Sequence, residues 1–237
     1  MHYRWILFDA DNTLFDFDRA ATEALQHTIE TYDHPFDASQ LATYERINTS
    51  YWQAFERGEI TQDLLRIQRF EDLLQDLELT GTPADVFAAD YEHNLSLGTH
   101  LLEGAQEILE ALKPHVEMAL ITNGLLDVQR PRLTRSTIHS YFRETLISEE
   151  VGAAKPDPKI FEVAFERMGY PSRSEVLIVG DSLSSDIQGG SDFGIDTCWF
   201  NPHHKARDRE VSITFEITQL RELEAICVPK QSHSEQA

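Results

Sequence analysis

Trp5-Ile6-Leu7-Phe8-Asp9-Ala10-Asp11-Asn12-Thr13 decides the fold: four apolar residues without alternation run straight into a polar loop carrying two carboxylates. A continuous apolar run reads as a strand buried on both faces, as in the middle of a parallel sheet. Three further runs have this form. Met118-Ala119-Leu120-Ile121 meets Thr122-Asn123-Gly124, Val176-Leu177-Ile178-Val179 meets Gly180-Asp181-Ser182, and Thr197-Cys198-Trp199-Phe200 meets Asn201-Pro202. Thr145-Leu146-Ile147 is a shorter fifth candidate. Between them lie helical stripes. Ala105, Ile108, Leu109 and Leu112 recur between Gly104 and Pro114; Ile160, Phe161, Ala164, Phe165 and Met168 are closed by Gly169 and Pro171. Strands alternating with helices predict an α/β fold, a Rossmann-like parallel sheet covered on both faces.

One interval breaks the alternation. From Phe15 to about Leu97 only helical periodicity appears, in four stripes: Ala21, Leu25, Ile29 and Tyr32; Leu41, Tyr44, Tyr51, Trp52 and Phe55; Leu65, Leu73, Leu74 and Leu77; Val86, Phe87 and Tyr91. A crossover between parallel strands needs about a dozen residues, so this stretch is expected to be an inserted bundle of roughly four helices. The expected organisation is a core of 1–15 and 98–229, a helical insert of 16–97, and a polar, frayed tail of 230–237.

The chain has 41 acidic and 20 basic residues among 237, a formal charge of −21. Affinity for nucleic-acid polymers and anionic membranes comes from Lys and Arg, so neither is an expected partner. A small phosphorylated substrate is compatible, provided its site is locally positive. No stretch approaches the ~20 apolar residues of a membrane span, and Trp5–Phe8 is too short for a signal-peptide core. Cys198 and Cys227, the two cysteines, cannot build a disulfide framework or a four-cysteine zinc site. Reduced thiols and a cytoplasmic location are expected; the sequence leaves the oligomeric state open, as monomer or homodimer.

Ligands of an open parallel sheet bind beyond the carboxyl ends of its strands. Those ends collect Asp9, Asp11 and Thr13; Thr122, Asn123 and Gly124; and Asp181 and Asp186. Lys155 joins them, after Gly152-Ala153-Ala154 and before Pro156 at an expected helix start. Converging carboxylates repel without a cation, and a few hard oxygen ligands suit Mg²⁺. A lysine with hydroxyl and amide donors supplies what phosphoryl oxygens need. His203-His204 has no third ligand at metal spacing and reads as a surface loop.

These residues carry a resemblance. Asp9-Ala10-Asp11-Asn12-Thr13-Leu14, Thr122-Asn123-Gly124, Lys155 and Gly180-Asp181-Ser182-Leu183-Ser184-Ser185-Asp186 resemble the four ordered motifs of the haloacid dehalogenase-like superfamily, from Trp5 to about Asn201. The helical insert stands where that family places its cap. The string from Ile147 to Pro156, the string Cys198 to His204, and Asn48, Trp52, Gly58-Glu59-Ile60-Thr61 and Arg69-Phe70 are similar to its nucleoside 5′-monophosphatase branch.

The resemblance implies a nucleophilic Asp9 that forms an aspartyl-phosphate, and an acid/base role for Asp11. Dehalogenases of the family lack this second carboxylate, because halide needs no proton, so Asp11 favours phosphate esters. It further implies Mg²⁺ on the Asp9 carboxylate, the Asp11 main-chain carbonyl and Asp181. Phosphoryl oxygens would meet Thr122, the Asn123 N–H and Lys155. Thr13 would brace the loop, and Asp186 would orient Lys155 or the metal shell. The function implied is a Mg²⁺-dependent phosphomonoesterase for nucleoside 5′-monophosphates, pyrimidine deoxynucleotides foremost. The alternatives are a phosphatase for a sugar phosphate or phosphoglycolate, a phosphomutase, or an inert binding protein; the intact acidic motifs and Lys155 speak against the last. Asn48, Trp52 and Arg69 are the cap candidates for substrate contact. Packing is the competing role for Trp52, Tyr44 and Tyr51, and pairing with a cap carboxylate for Arg69.

Overall fold

In the computed structural model, which describes residues 3–79 and 81–228, each apolar run is a strand. The expected frayed tail at 230–237 lies outside the described residues. The strands are β1 (Trp5–Phe8), β2 (Glu117–Thr122), β3 (Glu144–Ile147), β4 (Val176–Gly180), β5 (Asp196–Phe200) and β6 (Phe215–Ile217). They form one sheet in the order β3-β2-β1-β4-β5-β6, every neighbouring pair parallel. β6 was not expected. It is three residues long with Glu216 exposed, so it carries too little apolar signal to be read alone.

The helices are α1 (Phe17–Thr31), α2 (Ala38–Glu56), α3 (Gln62–Asp76), α4 (Ala84–Leu97), α5 (Ala105–Leu112), α6 (Leu126–Arg135), α7 (Ser148–Val151), α8 (Pro158–Arg167), α9 (Gln188–Phe193) and α10 (Glu222–Cys227). Two compact units result. One holds the chain up to Phe15, Leu101–Gly124 and the chain from Thr137 on; the other holds Asp16–His100 and Leu125–Ser136.

In the sheet unit β1 is central, with Phe8 level with Leu120 on one side and Val179 on the other. The chain therefore leaves β1, β2 and β4 at one edge of the sheet. Trp5, Leu7, Ala119, Ile121, Leu146, Val176 and Ile178 pack on Ile160, Phe161, Ala164 and Phe165 of α8. That helix begins two residues later than the sequence suggested. Asp157 is its N-cap, accepting from the Lys159 N–H, with Pro158 at the first helical position. Lys155 therefore sits in the preceding loop. Cys198 and Cys227 are buried free thiols. Among the described residues no helix is long and apolar enough to cross a membrane.

In the helical unit, Ala21, Leu25 and Ile29 of α1 meet Tyr44 and Ile47 of α2, Phe70, Leu73 and Leu74 of α3, and Phe87, Tyr91 and Leu95 of α4. Val86 departs from its expected stripe and is exposed; α4 buries Phe87, Ala88, Tyr91 and Leu95 instead. The residues 125–136, read as core from the sequence, group with this unit. The charged α6, with Pro131 inside it, shows no strong helical stripe, yet Leu125 and Val128 close the bundle core.

Candidate active site

The loop after β1 is a tight turn. Leu14 and Phe15 both donate to the Ala10 carbonyl, at 3.0 and 2.9 Å, and Asn12 takes φ +57°, a conformation its short polar side chain tolerates. The Asp9 N–H continues the ladder to the Val179 carbonyl at 2.9 Å, which ties the first acidic residue to β4. Buried Thr13 turns back and donates from Oγ1 to Asp9 Oδ2 at 3.2 Å. Asp11 lies half-buried on the turn.

Lys155 is buried and uses all three ammonium protons. Nζ donates to Asp9 Oδ1 and Asp186 Oδ1, each at 2.6 Å, and to the Ile121 carbonyl at 2.8 Å. Burial works against the charged ammonium, but Asp186 and Asp9 outweigh it and hold its pKa above that of an ordinary lysine. Each Asp9 oxygen thus carries one donor, which fixes the plane of the carboxylate.

Asp186 is buried in a single π-helical turn, Leu183–Ile187, and its Oδ2 accepts from the Ser182 N–H at 3.1 Å. Burial pushes its carboxyl up to about 7, with Asp9 adding to the rise and Lys155 opposing it. The approach to β4 is close enough that a Cβ on Gly180 would fall on the Asp186 carboxylate. Gly180→Ala is therefore expected to displace Asp186 and cost about 1–3 kcal/mol of stability by overpacking. A denaturant midpoint within error of wild type would contradict this close approach. Asp181 is half-buried, and its carbonyl accepts from Trp199 Nε1 at 2.9 Å. Burial first, then the charges of Asp9 and Asp186, hold its carboxyl well above the usual range, against Lys205 and Lys155.

Carboxylate oxygens of Asp9, Asp181 and Asp186 lie within 4.8 Å of one another. Ionised together, three carboxylates against one ammonium would leave two negative charges, the complement of a divalent cation, whose binding would favour the ionised forms that burial opposes. The donors are all hard oxygens, which fits Mg²⁺. The Asp11 carboxylate is outside this group, and both oxygens of Asp186 already accept hydrogen bonds.

Thr122 ends β2, buried, with Oγ1 accepting from the Gly124 N–H at 3.1 Å. The Asn123 side chain pairs with the backbone of Lys155 instead of pointing free. Sequence reasoning missed Trp199 and Lys205. The first could have been found by placing β5 beside β4, where Gly180 and Trp199 share a register. The second has no local signal: buried Asn201 grips its backbone through Oδ1 at 2.8 Å and Nδ2 at 3.1 Å. His203 and His204 are exposed.

The cap candidates belong to the helical unit. Arg69 is buried over the Phe70 ring at 4.6 Å and donates from Nη1 to Asn48 Oδ1 at 2.7 Å, with Glu92 Oε1 3.9 Å from Nη2. Its neighbours are thus a cap amide and a cap carboxylate. Trp52 is half-buried, edge-on to Phe55 at 5.9 Å.

The family model for haloacid dehalogenase-like hydrolases matches residues 6–200. The chain is 38% identical over 226 residues to the pyrimidine 5′-nucleotidase YjjG of Escherichia coli, covering 95% of this chain and 98% of that protein. It is 32% identical over 226 residues to the pyrimidine 5′-nucleotidase PynA of Streptococcus pneumoniae, covering 94% of each. The magnesium-bound HAD-hydrolase YfnB of Bacillus subtilis superposes with a TM-score of 0.91 at 35% identity, covering 97% of this chain and 100% of that one.

Proposed function

The chain belongs to the haloacid dehalogenase-like hydrolase family and is a phosphatase of it, and from that premise we propose that it hydrolyses nucleoside 5′-monophosphates, with pyrimidine deoxynucleotides preferred, in a Mg²⁺-dependent reaction. The observation that carries the reading is the Asp9 carboxylate held by Lys155 on one oxygen and Thr13 on the other. Identity to two pyrimidine 5′-nucleotidases over nearly the whole chain, helical unit included, supports the substrate class.

A carboxylate so held meets phosphorus in one orientation, so little of the barrier is spent on alignment. In the proposed mechanism an Asp9 oxygen attacks phosphorus, the ester P–O bond breaks, and Asp11 gives its proton to the leaving oxygen. Water then attacks the aspartyl-phosphate while Asp11 takes a proton back, which releases inorganic phosphate and restores both carboxyl groups. Lys155 balances the charge of Asp9 and of the phosphoryl oxygens, and Thr122 with the Asn123 N–H binds those oxygens. Asp9 and Asp181, with the Asp11 carbonyl, would hold Mg²⁺. Its double charge supplies the electrostatic stabilisation that an acidic protein otherwise lacks.

The test is phosphate release from nucleoside monophosphates, sugar phosphates and phosphoglycolate, with Mg²⁺ or with EDTA. Release confined to a few nucleotides and abolished by EDTA is expected. Release from sugar phosphates or phosphoglycolate alone would overturn the nucleotide assignment, and sugar-phosphate interconversion without free phosphate would indicate a mutase.

A further inference from the structure

Asn123 and Lys155 lie 32 residues apart, on loops leaving β2 and following α7. The side-chain amide of Asn123 spans that gap with a closed pair of hydrogen bonds. Nδ2 donates to the Lys155 carbonyl at 2.8 Å, and Oδ1 accepts from the Lys155 N–H at 2.7 Å. Asn123 is itself anchored, since its carbonyl accepts from Ser148 Oγ at 3.1 Å. The residue before it, Thr122, is fixed at the end of β2.

We infer that the Asn123 side chain is a positioning residue for the reaction, acting on Lys155 and not on the substrate. This inference rests on the phosphatase reading. The physical argument concerns how a lysine is held. Four rotatable bonds separate its ammonium from its backbone, and a flexible stem can satisfy acceptors from many backbone positions. Here the tip is fixed by Asp9, Asp186 and the Ile121 carbonyl, while the base is fixed through both the N–H and the carbonyl of Lys155. With both ends held, the ammonium cannot follow a drifting loop away from Asp9. Only a primary amide offers a donor and an acceptor side by side at this reach; a carboxylate would set oxygen against the Lys155 carbonyl, and a hydroxyl is too short. One residue is thereby divided between two tasks. Its side chain sets the lysine, and its backbone N–H is left to the phosphoryl group.

The test compares wild type and Asn123→Ala on the best substrate with saturating Mg²⁺. It is paired with amide hydrogen exchange at the Lys155 N–H, which needs no activity. The expected result is a kcat loss of about tenfold to a hundredfold, as misplacement by up to about an ångström produces. KM should stay within about threefold, and the Lys155 amide should exchange at least about tenfold faster. A raised KM with unchanged kcat would make the side chain a substrate contact and overturn the inference. So would unchanged kinetics or unchanged exchange. If the alanine variant does not fold, Asn123→Asp keeps the acceptor for the Lys155 N–H and loses the donor. Its kcat should also fall with KM held, and a wild-type kcat would overturn the inference. A wild-type protein that releases phosphate from no substrate sinks the phosphatase reading alone; the exchange measurement then still tests the clamp, and unaltered exchange rejects it.

Discussion

Asp9→Asn is expected to lower phosphate release by about 10,000-fold or more while the protein melts within a few degrees of wild type, because an amide oxygen is a far poorer nucleophile than a carboxylate. The fold should survive for a local reason. The amide oxygen can still accept from Lys155, and its NH₂ can donate to the Thr13 hydroxyl, which serves as donor or acceptor. Removing the Asp9 charge also relieves Asp181 and Asp186, whose carboxyls that charge pushes up. Single-turnover phosphate release beside a thermal melt separates the two effects. Turnover above about one-hundredth of wild type would remove Asp9 as the nucleophile.

Lys155→Met should be damaging in both respects. The ammonium is the shared partner of two buried carboxylates, and truncating one side of such a pair costs about 3–5 kcal/mol, since the charges left behind are uncompensated. Turnover should fall below detection in the same assay, as the cation beside Asp9, the proposed nucleophile, is gone. Acidity should partly repair the fold. The Asp186 carboxyl is already raised to about 7 in the wild type, and losing Lys155 removes the charge that opposes the rise. A carboxyl raised on folding contributes stability that is fully present below its unfolded value near 4 and is lost as pH climbs through its folded value. In EDTA, wild type and variant should therefore both gain stability from pH 7.5 towards pH 5, the variant more. Denaturant titrations at the two pH values check this. A variant that loses stability on acidification would contradict the buried-carboxylate account.

Much of the candidate site was legible because each of its parts is local. Asp9, Thr122 and Asp181 each directly follow or end a short continuous apolar run, and an open parallel sheet presents such positions at one edge. The same logic located the helical insert, whose length no crossover requires. What escaped were features with weak local signals. β6 has three residues, and α6 hides its core anchors, Val128 and the N-cap residue Leu125, beside charge and an internal proline. Val86 sat in the right helix on the wrong face, since a stripe of three residues does not define its own direction.

The sequence alone determined five strands of the sheet, the helical insert and most of the reactive groups, because apolar periodicity and residue chemistry act over a few neighbours. The partnerships belong to the tertiary structure. Lys155 reaches across 146 residues to Asp9, Asn123 spends its amide on Lys155, and Arg69 is folded inward onto Asn48. A buried polar group must find a partner wherever the fold brings one, and desolvation makes that choice costly to leave unmet. No spacing along the chain encodes it.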